Sequence, residues 1–218
     1  MKRMFLLLAL GLFAHVALQA QQISELRRSK TIFAYPEFKV GRVVQSFGRS
    51  VVDTVNIFLK DASLVFRRAD TVYAANVDHI YGLEIDSTVY KKVGTQMARV
   101  VAQQGYNYLV CVESVDMAKY EAETTGGEGL PFFEILPETG AGFFVELDRE
   151  PDEANIGLPL KHTYYFLLKG EEVPARENKV KPHVRPDMKQ AFKQKMADRW
   201  WSWNDEESLK QLLIFFAQ

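Results

Sequence analysis

The chain has 218 residues, with 27 Lys plus Arg against 28 Asp plus Glu and a formal net charge of −1. That balance excludes a global field aimed at nucleic acid or at an anionic membrane. With 47% hydrophobic and 12% aromatic residues, the composition also excludes a wholly disordered chain.

The first predicted element is an export signal. Lys2 and Arg3 make a basic start, and residues 4–18 are apolar except for His15. Hydrophobicity stops at Gln19, Gln21 and Gln22, with the small Ala20 at the junction. This predicts a secretory signal peptide over residues 1–20. The apolar run falls short of the about 20 residues that a membrane span needs. No cysteine flanks the junction, so lipid attachment there is not expected. The expected location is the periplasm, the cell surface or the medium, a setting compatible with peripheral membrane association.

Residues 21–37 read as a polar leader, loose or briefly helical. From residue 38 to 170 the period is two, and a β-rich domain is predicted. Its first strands are expected at 38–44, 55–59, 64–67, 71–74, 81–85 and 89–93. Two longer ones follow at 97–102 and 106–115, and turn residues such as Asp61-Ala62-Ser63 and Asp86-Ser87 separate them. Short strands at about ten-residue spacing imply an antiparallel meander: a curved sheet, a sandwich or a half-barrel. Residues 121–129 and 148–159 read as acidic loops, flanking aromatic strands at 132–136 and 142–147. The last clear strand is Thr163-Tyr164-Tyr165-Phe166-Leu167-Leu168, with Lys169-Gly170-Glu171 turning out of it.

Residues 171–218 are expected to be helical and to pack on the sheet. Met188, Phe192, Met196 and Trp200 recur every fourth residue after Pro186. A second helix is expected from Asn204, with Glu207 at capping-box spacing and Leu209, Leu212, Leu213 and Phe216 on its apolar face. The whole is an α+β chain with a C-terminal helical hairpin.

Charge is unevenly placed. Between Glu113 and Glu153 there are 12 acidic residues against Lys119 and Arg149; between Lys161 and Arg199 there are 10 basic against 5 acidic. Two solvated faces account for this; an acidic loop that meets a basic partner or a cation is the sharper reading. Calcium-loop spacing is missing.

No catalytic, cofactor or metal motif is present: there is no P-loop, no G-x-G-x-x-G, no G-x-S-x-G and no H-E-x-x-H. His79, His162 and His183 lack metal-ligand spacing and read as surface or structural residues. Cys111, the single cysteine, lies in Tyr108-Leu109-Val110-Cys111-Val112 and reads as a buried, inert thiol. Leu136-Pro137-Glu138-Thr139-Gly140 matches the pentapeptide that sortases cleave. A sorting signal needs a membrane span and a basic tail directly after it. Here 78 residues of folded appearance follow, so the string reads as a turn between strands. Trp200, Trp201 and Trp203 are the candidate binding surface, as a platform for sugar faces, against core packing as the alternative. Trp203, at the helix junction, is expected to be the exposed one.

The string Asn56-Ile57-Phe58-Leu59-Lys60-Asp61-Ala62-Ser63-Leu64-Val65-Phe66 is one of three that carry a resemblance. Val89-Tyr90-Lys91-Lys92-Val93 and the Tyr-Tyr-Phe-Leu strand followed by Glu206-Glu207-Ser208-Leu209-Lys210-Gln211-Leu212-Leu213 are the others. Together they resemble small exported Bacteroidota proteins of uncharacterised function, over about two thirds of the mature chain. The resemblance implies a Gram-negative source and carries over no site residues. Asp53-Thr54-Val55, Asp70-Thr71-Val72 and Asp86-Ser87-Thr88 are similar to O-glycosylation sites of exported Bacteroidota proteins. The simpler reading is that Asp-Thr and Asp-Ser start strands after turns.

The expected function is a non-enzymatic, exported envelope or surface protein that binds a protein partner or a glycan, with no nucleic acid and no cofactor. The alternatives are a secreted hydrolase acting on glycans or peptides, and a small outer-membrane barrel.

Overall fold

The computed structural model describes residues 28–69, 71–124 and 157–217. The signal-peptide reading, the strands expected at 132–136 and 142–147, and the Leu136–Gly140 string lie outside the described residues, as does most of both acidic loops.

Among the described residues there are eleven strands: β1 (Arg28–Ser29), β2 (Lys39–Gln45), β3 (Ser50–Phe58), β4 (Ser63–Arg68), β5 (Thr71–Ala74), β6 (Ile80–Ile85), β7 (Thr88–Val93), β8 (Gln96–Gln104), β9 (Asn107–Val115), β10 (Leu158–Leu168) and β11 (Glu171–Pro174). Every pairing is antiparallel. The order is β1-β10-β9-β8-β7-β6-β2-β3-β4-β5, with β11 also on β10. The architecture is therefore the β-rich, antiparallel one that the period-two pattern predicts.

The sheet is curled into a half-barrel. β4 and β8 are five strand spacings apart in the sheet order, about 24 Å if the sheet were flat. Yet the Met97 amide at the start of β8 donates to Ala62 O, just before β4, at 2.8 Å. The Val115 amide at the end of β9 likewise donates to Leu59 O at 2.7 Å. Only a strongly coiled sheet brings those backbones together. Val43, Val55, Ile57, Leu64, Leu83 and Ile85 are buried in the cluster that this curl encloses.

Strand β9 shows why its sequence is a continuous apolar run. Val110 and Val112 belong to that enclosed cluster, while Leu109 and Cys111 belong to a second one with the C-terminal segment. A strand covered on both faces needs apolar side chains at odd and even positions alike.

The sheet runs past both expected boundaries. Lys169 and Gly170 both have positive φ (52° and 93°), the pair of left-handed residues that closes a two-residue hairpin. The chain therefore returns along β10 as β11 instead of starting a helix at 171. At the other end, residues 28–37 are not a loose leader. Arg28–Ser29 pairs with β10, Phe33 is buried, and the Ala34 amide donates to Ile57 O at 2.9 Å. Phe33 and Phe38 join Phe58, Val65 and Val72 in a cluster of their own.

Residues 117–124, expected to run into a loop from 121, form helix α1 (Met117–Thr124). Asp116 accepts from the Lys119 amide at 3.2 Å, a side-chain cap that satisfies one of the free donors of the first turn.

The C-terminal segment is a cap of short helical pieces rather than a two-helix hairpin: α2 (Glu177–Val180), α3 (Lys189–Met196) and α4 (Glu206–Lys210), with 3-10 turns at Lys181–His183, Pro186–Met188 and Gln211–Phe215. Pro182 and Pro186 sit at the starts of two of those turns, where a missing N–H is tolerated. The second helix begins one residue later than expected. Asp205, not Asn204, is its N-cap and accepts from the Ser208 amide at 2.8 Å. The cap packs on the sheet as expected, through Val180, Val184, Phe192, Leu209, Leu212, Phe215 and Phe216 against Leu109, Cys111, Phe166 and Leu168.

Candidate binding surface

Directly paired residues share a face of a sheet. The registers therefore put Val43, Leu83, Tyr90, Arg99, Cys111 and Tyr164 in one row across β2, β6, β7, β8, β9 and β10. The row changes from apolar to polar along its length, and a group of titratable side chains gathers at its polar end. The Tyr35 and Tyr90 hydroxyls are 2.9 Å apart. Arg99 Nη2 donates to Glu206 Oε2 at 3.2 Å, tying β8 to the cap. Glu113 Oε2 and His162 Nε2, paired across β9 and β10, are 2.7 Å apart.

Environment sets the protonation of this group. Burial holds the Tyr90 phenol protonated far above its ordinary range, helped by the Tyr35 hydroxyl. Burial also pushes the Cys111 thiol up to about 12, against the pull of Arg99, so it stays protonated at neutral pH and is no nucleophile. The thiol is buried and unpaired, as its setting in an apolar strand predicts. Glu113 is held below its ordinary value of 4.5, first by the hydrogen bond to His162 and against the opposing effect of burial.

A histidine oriented by a carboxylate is half of a nucleophile-activating arrangement. The other half is not assembled here, because no Ser, Thr or Cys hydrogen bond to His162 is found among the described residues. The pair works instead as a cross-strand link. A carboxylate with a depressed native pKa adds stability that is present above pH 4.5 and is lost as the pH falls through its native value. Urea midpoints of the wild type and of Glu113→Gln should thus differ at pH 7 and converge on acidification below 4.5. A difference that stays constant with pH would exclude the link.

His183 Nδ1 lies 3.8 Å from Glu171 Oε2, and His79 is exposed in the β5–β6 connection. Among the described residues, no three His, Cys, Asp or Glu side chains are grouped to hold a metal ion. Thr54 and Thr71 lie in strands and are half-buried, whereas Ser87 is exposed in the β6–β7 turn.

The tryptophans separate. Trp201 and Trp203 stack edge to face with centroids 5.5 Å apart and pack against the cap's apolar cluster. Trp201 Nε1 is buried and makes no hydrogen bond among the described residues. Trp200 is 84% exposed, with the Arg199 guanidinium 5.7 Å from its ring centre. The exposed residue is thus Trp200 and not Trp203. Helix α3 stops at Met196, so the four-residue stripe that would have carried Trp200 inward is broken before it arrives. Asp198 stabilises the turn there by accepting from the Trp200 amide at 3.0 Å.

The same segment holds a groove of about 660 Å³ formed by α2, the turn after it and α3. Val184, Phe192 and Met196 contribute its apolar lining, and Lys181, Lys189 and Lys193 its positive charge. All three lysines are exposed, and none has a carboxylate partner among the described residues. Neither the groove nor the lysines emerge from motif reading. The available signal is local: Lys189 and Lys193 lie four residues apart, one turn of helix, beside Phe192 and Met196 at the same spacing.

Comparison with known protein families, with characterised proteins and with solved structures finds no match to this chain.

Proposed function

We propose that this chain is an exported, non-enzymatic protein that binds a protein partner or a glycan of the cell envelope through the surface of its C-terminal cap. The single observation that carries this reading is Trp200 held in water beside Arg199. A tryptophan brings about 150–250 Å² of surface when it is covered, and the same cap buries Phe192, Phe215 and Phe216 and half-buries Trp201 and Trp203. Trp and Arg are the residue types that anchor interfaces most often. The basic character of residues 161–199 supports it further, because an uneven charge distribution steers an oppositely charged partner toward one face. Export is the reading of residues 1–20.

The hydrolase alternative needs an activated nucleophile or two carboxylates set around a substrate. Glu113 and His162 are spent on each other, and the groove lies elsewhere. A membrane barrel needs an unbroken outward apolar band, whereas Arg42 and Glu84 form a 2.6 Å ion pair between β2 and β6, both well exposed.

The test is site-specific photo-cross-linking in the native envelope, with a benzophenone amino acid at position 200 or at position 52, an exposed site on β3. One dominant adduct from position 200 that position 52 does not give is the expected result. Identical adducts from both positions, or none from either, would overturn it.

A further inference from the structure

We infer that the groove formed by α2 and α3 takes an acidic, amphipathic peptide segment of a protein partner, an assignment that rests on the partner-binding reading above. Three features of the groove select this chemistry. Lys181, Lys189 and Lys193 place three separate positive charges around one cavity, with Glu177 the one carboxylate in its lining among the described residues. A ligand with a single charged head would leave two of those ammonium groups unmatched, whereas glutamates or aspartates spaced along a peptide meet all three. Lysine suits this role, because its ammonium is a mobile point charge that adapts to carboxylates of varied placement, unlike the fixed fork of arginine.

The lining between the lysines is apolar. Met196 and the aliphatic lysine stems, over a floor formed by the buried Val184 and Phe192, offer a surface for apolar side chains of the same ligand. Methionine at such a site fits different apolar shapes at low cost. A polysaccharide fits less well: sugar faces stack on exposed aromatic planes, and Phe192, the one aromatic of the groove among the described residues, is buried. Apolar anchors in a groove with charges along the rim are how amphipathic segments are recognised.

The experiment uses a fluorescein-labelled twelve-residue peptide carrying glutamates and leucines at helical spacing, titrated by fluorescence anisotropy against the whole mature protein. Saturable binding that weakens as salt rises is expected. The double variant Lys189→Gln/Lys193→Gln should bind about tenfold more weakly, since rim charges act mainly through screened attraction. The double variant Arg176→Gln/Lys179→Gln removes the same charge from the same segment outside the groove lining, and should bind as the wild type does. A peptide with glutamine for glutamate, and one with serine for leucine, should each lose affinity. Equal loss in both double variants would mean general attraction to a basic surface and would overturn the assignment, as would absence of saturable binding. If the peptide fails while position 200 still cross-links one dominant partner, the groove assignment falls and the partner-binding reading stands.

Discussion

Phe166→Ala should cost about 3–5 kcal/mol of folding stability, the range for emptying a fully buried phenylalanine site. Phe166 has no exposed surface. It lies two residues before the end of β10, opposite Leu109 on β9 and Val173 on β11, and its ring meets Phe216 edge to face at 5.1 Å. It is therefore the point where three strands and the end of the cap converge. Truncation removes the ring and also leaves a cavity, because neighbours fixed by backbone ladders cannot collapse into it. With a total stability of about 5–15 kcal/mol expected for a domain of this size, the variant should sit close to the unfolding threshold. All three tryptophans are in the cap, and two pack on this cluster, so intrinsic fluorescence reports the cap while far-UV circular dichroism reports mostly the sheet. Urea titration should show both transitions shifted to lower denaturant. Phe166→Leu, which keeps a branched apolar side chain there, should lose much less. A shift of under about 1 kcal/mol for the alanine variant, the size of an ordinary surface substitution with margin, would show that the cap does not depend on this contact.

The cap and its site follow from this convergence. Arg99 and Glu206 add a polar tie beside the apolar contact, but both are only half-buried, and a pair still reached by water contributes little on its own. The apolar seam is what holds α3 and α4 to the sheet. That seam fixes which side of α3 faces inward: Phe192 is buried, so Lys189 and Lys193 are left outside as its neighbours on the rim of the groove. The binding surface is in this sense a by-product of how the cap is anchored.

Alternation, and short apolar runs set between turn residues, located nine of the strands, because burial on one face or on both leaves a direct mark on residue order. Strand β11 left no such mark: Glu171-Glu172-Val173-Pro174 buries only Val173, and its placement depends on the Lys169-Gly170 turn conformation. The helical stripe through Met188, Phe192, Met196 and Trp200 is present in the sequence, but spacing alone does not say that α3 ends at Met196. That single boundary decides which tryptophan reaches water. The Glu113–His162 link was out of reach for a different reason. The two residues are separated by 49 positions, and only the β9–β10 register brings them opposite. Cys111 was legible, because a thiol inside Leu-Val-Cys-Val has no polar neighbour in sequence to activate it.

Asn56 is the residue where alternation misleads most, and it carries the second large effect. In Val55-Asn56-Ile57-Phe58-Leu59 it reads as the polar, solvent-facing member of a strand, yet it has no exposed surface. Its amide is fully engaged. Oδ1 accepts from the Tyr35 amide at 3.1 Å and from the Ile57 amide at 2.8 Å, and Nδ2 donates to Tyr35 O at 2.8 Å and to Glu37 O at 3.3 Å. One side chain thereby satisfies backbone groups of the segment that runs from Phe33 to Phe38, where regular strand pairing with β3 has stopped. Asn56→Leu keeps the size of the side chain and removes all four bonds. Each buried backbone group left without a partner costs about 1–3 kcal/mol, so a loss of about 3 kcal/mol or more is expected. The damage should be local first. Amide exchange at Tyr35 and Ile57 should accelerate more than exchange in β9, and the Tyr35–Tyr90 hydroxyl contact should loosen with the segment. Hydrogen exchange read residue by residue, alongside a urea titration, separates the two levels. A leucine variant as stable as the wild type, with unchanged protection at Tyr35, would mean that Phe33 and Phe38 hold the segment by apolar packing alone and that the amide is incidental.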